Sequence, residues 1–110
     1  MSEENIGSRA AENSGSVANG NASDTGALFL QYMKAANQPG LVDERTKKLI
    51  AVALSIVQHC KPCLASHLKG AYNMGITTAE IDEVVNLAVE FGGCPSLMFF
   101  REVSREVKPA

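Results

Sequence analysis

Beyond residue 26, apolar residues recur along the chain at intervals of three and four, which is the spacing of one face of an α-helix. The clearest example has acidic and amide residues on its opposite side and places Ile81, Val84, Val85, Ala88 and Phe91 on one face. No segment alternates polar and apolar residues as a half-buried strand would. The pattern therefore predicts an all-α fold.

Residues suited to start and stop helices divide this pattern into about five predicted helices. Asp24, Asp43 and Thr77 can cap the first, second and fourth helices, because their oxygens can accept hydrogen bonds from the first backbone N–H groups. Pro62 and Pro95 suit the first turns of the third and fifth helices, where a missing N–H is not needed. The predicted ranges are 25–37, 44–59 and 60–74, then a fourth helix ended by Gly92-Gly93 and a fifth starting near residue 95.

Residues 1–26 differ sharply in composition from the rest of the chain. Their only large apolar residues are Met1, Ile6 and Val17, and the remainder is mostly Ser, Asn, Gly, Ala and acidic residues. Such a segment buries too little apolar surface to offset its ordering entropy. We therefore predict a flexible polar tail over residues 1–26 and one helical domain over residues 27–110.

The apolar content of the helical domain exceeds what one small chain can bury. Residues 49–57 of the second helix are apolar except for Ser55, and the fifth helix carries Leu97-Met-Phe-Phe in a row. A unit of about 84 residues has little interior for such helices. We therefore expect a homo-oligomer, in which Met33, Met74, Met98, Phe99 and Phe100 belong to the core or to subunit contacts.

Charge and hydropathy argue against two classes of function. A net charge of −2 disfavours a nucleic-acid binder, because phosphate contacts require a basic surface. No apolar run approaches the roughly 18 residues that a membrane-spanning helix needs. The N-terminal residues also lack the basic start and apolar stretch of a signal peptide, which predicts a cytoplasmic protein without membrane partners.

The candidate chemistry lies at Cys60, Cys63 and His67, whose spacing is C-x2-C-x3-H. On one helix these three residues share a face, and the positive end of the helix dipole stabilises a thiolate in the first turn. Two thiols at this spacing can also close a disulfide, while His67 can act as a general acid and base. Cys94 is expected to be a buried or half-buried free thiol, and His59 is expected to point away from the pair.

Other interpretations of the same residues remain open. Cys60, Cys63, His67 and Cys94 have the ligand count of a structural zinc site. The cysteines could instead be small buried hydrophobic residues in a non-catalytic oligomeric binding module. The continuous amphipathic helices have no need of a metal staple, so we favour a redox site that requires neither metal nor cofactor.

Four stretches of the chain resemble the carboxymuconolactone decarboxylase superfamily, in its alkylhydroperoxidase D-like branch. They span about residues 27 to 105. The stretches are Leu41-Val-Asp-Glu-Arg-Thr-Lys-Lys-Leu-Ile-Ala, the Cys60-x-x-Cys63-x-x-x-His67 motif, Lys69-Gly-Ala-Tyr-Asn-Met-Gly-Ile-Thr-Thr-Ala-Glu-Ile and Glu90-Phe-Gly-Gly-Cys-Pro.

The resemblance implies an all-helical fold that assembles as trimers or hexamers. It implies a thiol peroxidase or disulfide reductase in which His67 relays protons, with Cys63 attacking the substrate and Cys60 as its partner. The position of Cys60 at the helix start argues for the reverse assignment. The electrons would come from a thioredoxin-like or dihydrolipoyl protein. The lyase activity that gives the superfamily its name is disfavoured, because enzymes of that type generally lack the cysteine pair.

One position departs from the pattern of the family. Its proton relay usually includes a glutamate twelve residues before the first cysteine, and here that position is Lys48. A lysine cannot orient a histidine as a carboxylate does, but its positive charge can lower a thiol pKa. We therefore expect peroxidase activity to be impaired more than thiol–disulfide chemistry. Glu90 is a candidate for a substitute carboxylate.

Overall fold

The computed structural model describes residues 22–109, and within that range the chain forms five helices and no strand. The all-α prediction is confirmed. The helices are α1 (Ala22–Asn37), α2 (Glu44–Val57), α3 (Lys61–Asn73), α4 (Thr78–Gly92) and α5 (Cys94–Ser104). The predicted tail falls mostly on residues 1–21, which lie outside the described residues.

Helix α1 belongs to a separate unit that ends at Gln38, and the other four helices belong to a unit that begins at Pro39. It begins at Ala22, before the predicted cap Asp24, which lies within its first turn. The predicted boundary between residues 26 and 27 therefore falls inside a helix. Phe29 and Tyr32 stack on this helix with ring centroids 6.4 Å apart, and both rings are largely exposed.

The predicted caps of α2 and α4 are confirmed. Asp43 Oδ1 accepts a hydrogen bond from the Thr46 backbone N–H at 2.6 Å, and that bond is the largest cause of the lowered pKa of Asp43. Thr77 Oγ1 accepts from the backbone N–H of Glu80 at 3.2 Å. The Glu80 carboxylate pairs with Arg45 on α2, which joins the starts of these two helices.

The core of this second unit lies where α2 packs against α3, α4 and α5. Its fully buried side chains come from all four helices, because each places one apolar face inward. The largest apolar ones are Val52, Ile56, Leu64, Leu68, Ile81 and Val103. This packing fixes α2 beside α3, which carries the cysteine motif.

Two connections orient the helices around that motif. Helix α2 ends at Val57, two residues earlier than predicted, so His59 and Cys60 lie in the turn before α3. Between α4 and α5, Gly93 has φ +73°, a left-handed conformation that glycine adopts without a Cβ clash. The single residue between these helices lets α5 fold back toward the α2–α3 turn.

Candidate redox site

Backbone hydrogen bonds to α2 and a ring contact with α5 stabilise the turn before the cysteine pair. His59 has φ +53°, an uncommon conformation for a residue with a side chain. The backbone N–H groups of His59 and Cys60 donate to the carbonyls of Ile56 and Ser55, at 3.1 and 3.2 Å. The imidazole of His59 stacks on Phe99 with centroids 4.9 Å apart. These contacts hold the backbone that leads into Cys60.

A second contact of His59 reaches a fully buried hydroxyl on α5. Its Nε2 lies 3.4 Å from Ser96 Oγ, and Ser96 has no exposed surface. Gly92 makes room for this hydroxyl, because a Cβ at residue 92 would lie 2.9 Å from the Ser96 Cβ. The sequence indicated Gly92 only as a helix stop. Gly92 and Ser96 lie four residues apart on either side of the turn at Gly93, where the two helices meet.

Cys60 and Cys63 are joined by a disulfide, with their Cα atoms 5.2 Å apart. Cys60 is the N-cap of α3 and Cys63 lies in its first turn, as the spacing predicted. Cys60 is half-buried, but Cys63 is exposed. The sulfur-bearing side chain at residue 63 is therefore the more accessible of the two.

His67 lies one helical turn after Cys63 on α3, so the two side chains share a face. The imidazole is half-buried. Burial, and to a smaller extent the charge of Lys48, lowers the pKa of His67 below its usual 6.5. The ring is therefore neutral at pH 7 and above.

Lys48 on α2 contacts that imidazole directly, with its Nζ 3.2 Å from His67 Nδ1. The absence of a side chain at Gly70 allows this approach. A Cβ at residue 70 would lie 3.1 Å from Lys48 Nζ and 3.3 Å from its Cε. Lys48 thus places a cation against the imidazole, at the residue where the family resemblance implies a carboxylate.

Two other predicted residues lie elsewhere. Glu90 is exposed on α4, and within residues 22–109 no hydrogen bond or ion pair joins it to His67. It therefore supplies no substitute carboxylate. Cys94 is a free cysteine, but it is exposed and not buried. Cys94 is the first residue of α5, and the buried residues of that helix begin only at Ser96.

The described part of the chain offers no alternative metal site. Among these residues, no three His, Cys, Asp or Glu side chains are grouped so that they could hold a metal ion. The four candidate zinc ligands are therefore not assembled. The described helices also include none that is both long and apolar enough to cross a membrane.

The helices that carry this arrangement match a known protein family. The model of the carboxymuconolactone decarboxylase family matches residues 23–106. The chain belongs to this family. The match covers all five helices except the first residue of α1.

Two curated relatives of the chain are uncharacterized proteins. One, from the cox locus of Paracoccus denitrificans, is 40% identical over 79 residues, which cover 68% of this chain and 71% of the relative. The other, from Cupriavidus necator, is 37% identical over 73 residues, which cover 66% and 65%. The names of these two relatives state no reaction.

Two solved structures share the fold. A family protein from Legionella pneumophila, solved in its apo form, has a TM-score of 0.70 and 28% identity, with 93% of this chain and 87% of that one covered. A family protein from Thermotoga maritima has a TM-score of 0.69 and 27% identity, with 74% and 84% covered. A role in the antioxidative response has been suggested for the Thermotoga protein.

Proposed function

We propose that this family member is a thiol–disulfide oxidoreductase that cycles Cys60 and Cys63 between dithiol and disulfide. The observation that carries the proposal is the Cys60–Cys63 disulfide at the start of α3, in which Cys63 is exposed. The position of the pair at the positive end of a helix favours a thiolate. A reducing cytoplasm is the compartment in which such a pair stays available for turnover.

The proposed cycle begins with attack by Cys63 on a substrate disulfide. The Cys63 thiolate forms a bond to one substrate sulfur, the substrate S–S bond breaks, and the first substrate thiolate leaves and takes a proton from solvent. Cys60 then gives its proton to solvent and attacks the Cys63 sulfur, which forms the Cys60–Cys63 bond and releases the second substrate thiolate to take a proton from solvent. Two electrons pass from the protein dithiol to the substrate.

A dithiol partner completes the cycle by the reverse exchange. A thioredoxin-like or dihydrolipoyl protein would reduce the Cys60–Cys63 disulfide and become oxidised to its own disulfide. Because Cys63 is more exposed than Cys60, its sulfur is the accessible point of attack for both the substrate and this reductant. The cycle requires no bound metal or cofactor.

Alkylation of the reduced protein tests the proposed function. At least one of Cys60 and Cys63 should react as a thiolate well below the ordinary thiol pKa of about 8.5, because the helix dipole stabilises the charged form. Cys94 is an internal control for accessibility, since it is exposed and free. The measurement is the alkylation rate of each cysteine against pH, resolved by peptide mass spectrometry. If Cys60 and Cys63 both titrate near 8.5, the redox assignment fails and a non-catalytic binding module becomes the better interpretation.

The proposal extends to a homo-oligomer. Helices α2 and α4 flank an apolar groove of about 290 Å³, lined by Ala53, Leu54, Val57, Leu87, Ala88 and Phe91. Leu54 is 59% exposed, Leu87 57% and Phe91 77%. Together they form a continuous apolar patch of the kind that soluble proteins normally cover. A second copy of the chain covers it in the trimer or hexamer that the family resemblance implies.

Substitution in this groove tests the assembly. Phe91→Glu is expected to shift the protein toward the monomer, because it places a charge in the apolar contact. Leu41→Glu is the matched control, since Leu41 is fully exposed and lies outside the groove. The measurement is molar mass by light scattering across a concentration series. A monomeric wild-type protein, or equal masses for all three proteins, would contradict the proposed assembly.

A further inference from the structure

The pairing of Lys48 with His67 determines more than the position of the ring. An imidazole has two nitrogens, and in the neutral ring one carries the hydrogen while the other accepts. A lysine ammonium has three donors and no acceptor. At 3.2 Å from Nδ1, Lys48 Nζ can therefore satisfy that nitrogen only when Nδ1 presents its lone pair. The hydrogen of the neutral ring then resides on Nε2.

We propose that Lys48 is a positioning residue that fixes the Nε2–H tautomer of His67, so that His67 serves the cysteine pair as a hydrogen-bond donor to a thiolate. This inference rests on the proposed function for its consequence but not for the tautomer itself. A carboxylate at residue 48 would accept from Nδ1–H and leave Nε2 as a base. With a lysine at residue 48, Nδ1 is the acceptor and Nε2 is the donor.

Three features of the structure support this arrangement. Lys48 and His67 lie on two helices that pack against each other, so their contact is fixed by the core. Gly70, three residues after His67, leaves the space that the end of the lysine side chain occupies. The half-burial of the imidazole, together with the adjacent positive charge, disfavours its protonation, so the neutral ring is the relevant form.

The consequence concerns the balance between dithiol and disulfide. A disulfide carries no charge, whereas the reduced pair can hold a thiolate. An N–H donor backed by a cation stabilises the thiolate and therefore the reduced form. The Lys48–His67 pair should therefore make the Cys60–Cys63 disulfide accept electrons from its reducing partner more readily than it would with a neutral residue at position 48.

Nitrogen NMR of the imidazole tests the tautomer without any activity measurement. In the full-length oxidised protein at pH 8, His67 Nδ1 should show the shift of a non-protonated nitrogen and Nε2 that of a protonated one. His59→Asn assigns the two histidines, since they are the only ones in the chain. A wild-type ring with hydrogen on Nδ1 would overturn the inference, whatever the protein's activity.

The thiol–disulfide equilibrium with glutathione tests the consequence. Lys48→Met should shift it toward the protein disulfide by about three- to tenfold, the range expected for losing part of a charge-assisted hydrogen bond. Lys48→Arg retains a donor cation and should restore much of the wild-type value. Lys69→Met removes the same charge from an exposed position on α3 and should leave the equilibrium unchanged.

The outcomes separate this inference from the proposed function. An unchanged equilibrium in Lys48→Met, or an equal shift in Lys69→Met, would overturn the role of Lys48. If the tautomer and the Lys48→Met shift are found as expected but the protein does not turn over a disulfide substrate with a dithiol as the electron source, the proposed function fails and the role of Lys48 stands.

Discussion

Replacing Cys63 with serine is expected to reduce the turnover of a disulfide substrate to the uncatalysed rate. Cys63 is the exposed member of the pair and lies one turn from His67. A serine hydroxyl at this position does not ionise at neutral pH and forms no disulfide, so neither the first attack nor the resolving step can occur. The measurement is steady-state reduction of a small disulfide, with a dithiol as the electron source.

Replacing Cys60 with serine should produce a different defect. Cys63 can still attack, but the resolving thiol is absent, so a mixed disulfide between substrate and Cys63 should accumulate. Cys94→Ser is the control, because Cys94 is free and exposed and the proposed cycle does not use it. A mixed disulfide on Cys60 in the Cys63→Ser variant would reverse the assignment of the attacking thiol. Near-wild-type turnover in both variants would contradict the cycle.

Replacing Lys48 with glutamate is expected to raise hydroperoxide turnover by about tenfold or more, within the range of general acid–base catalysis. Attack of a thiolate on a hydroperoxide releases an alkoxide or hydroxide, which must be protonated as the O–O bond breaks. In the wild-type protein that proton has to come from the neutral His67 ring, whose Nδ1 contacts the Lys48 ammonium. An ammonium is a weaker acid than an imidazolium. With glutamate, Nε2 can take the thiol proton and pass it to the leaving oxygen.

Disulfide exchange should respond to Lys48→Glu in the opposite direction. A thiolate is a stable leaving group that needs no proton, and the variant loses the cation that supports the thiolate. Lys48→Gln is the matched control, since it removes the charge without supplying a base. Measuring both substrates on wild type, Lys48→Glu and Lys48→Gln separates the two effects. Unchanged or reduced hydroperoxide turnover in Lys48→Glu would remove residue 48 from the proton relay.

Features encoded by neighbouring residues could be predicted from the sequence. The helical spacing, the caps at Asp43 and Thr77 and the placement of the cysteine pair at the start of α3 depend on contacts within about one turn of helix. The start of α1 was missed, because Asp24 has the side chain of a cap but the helix continues before it. Propensity alone does not exclude helical residues upstream of a good cap.

Features that depend on packing between helices could not be predicted in the same way. Lys48 was identified by its distance from Cys60 along the chain, but its contact with His67 Nδ1 follows from the packing of α2 on α3 and from the space at Gly70. The contacts of His59 with Ser96 and Phe99 depend on how α5 packs against the turn between α2 and α3. Cys94 was expected to be buried on the average behaviour of cysteine, and its exposure reflects its place at the end of a helix.

The central claim is that Cys60 and Cys63 exchange electrons as a pair. The most direct test treats the reduced protein with one equivalent of a small disulfide and maps its cysteines by mass spectrometry. The proposed cycle predicts a Cys60–Cys63 disulfide, two equivalents of released substrate thiol and an unmodified Cys94. Substrate thiol bound to separate cysteines, or a reduced pair with oxidation at Cys94 alone, would contradict it.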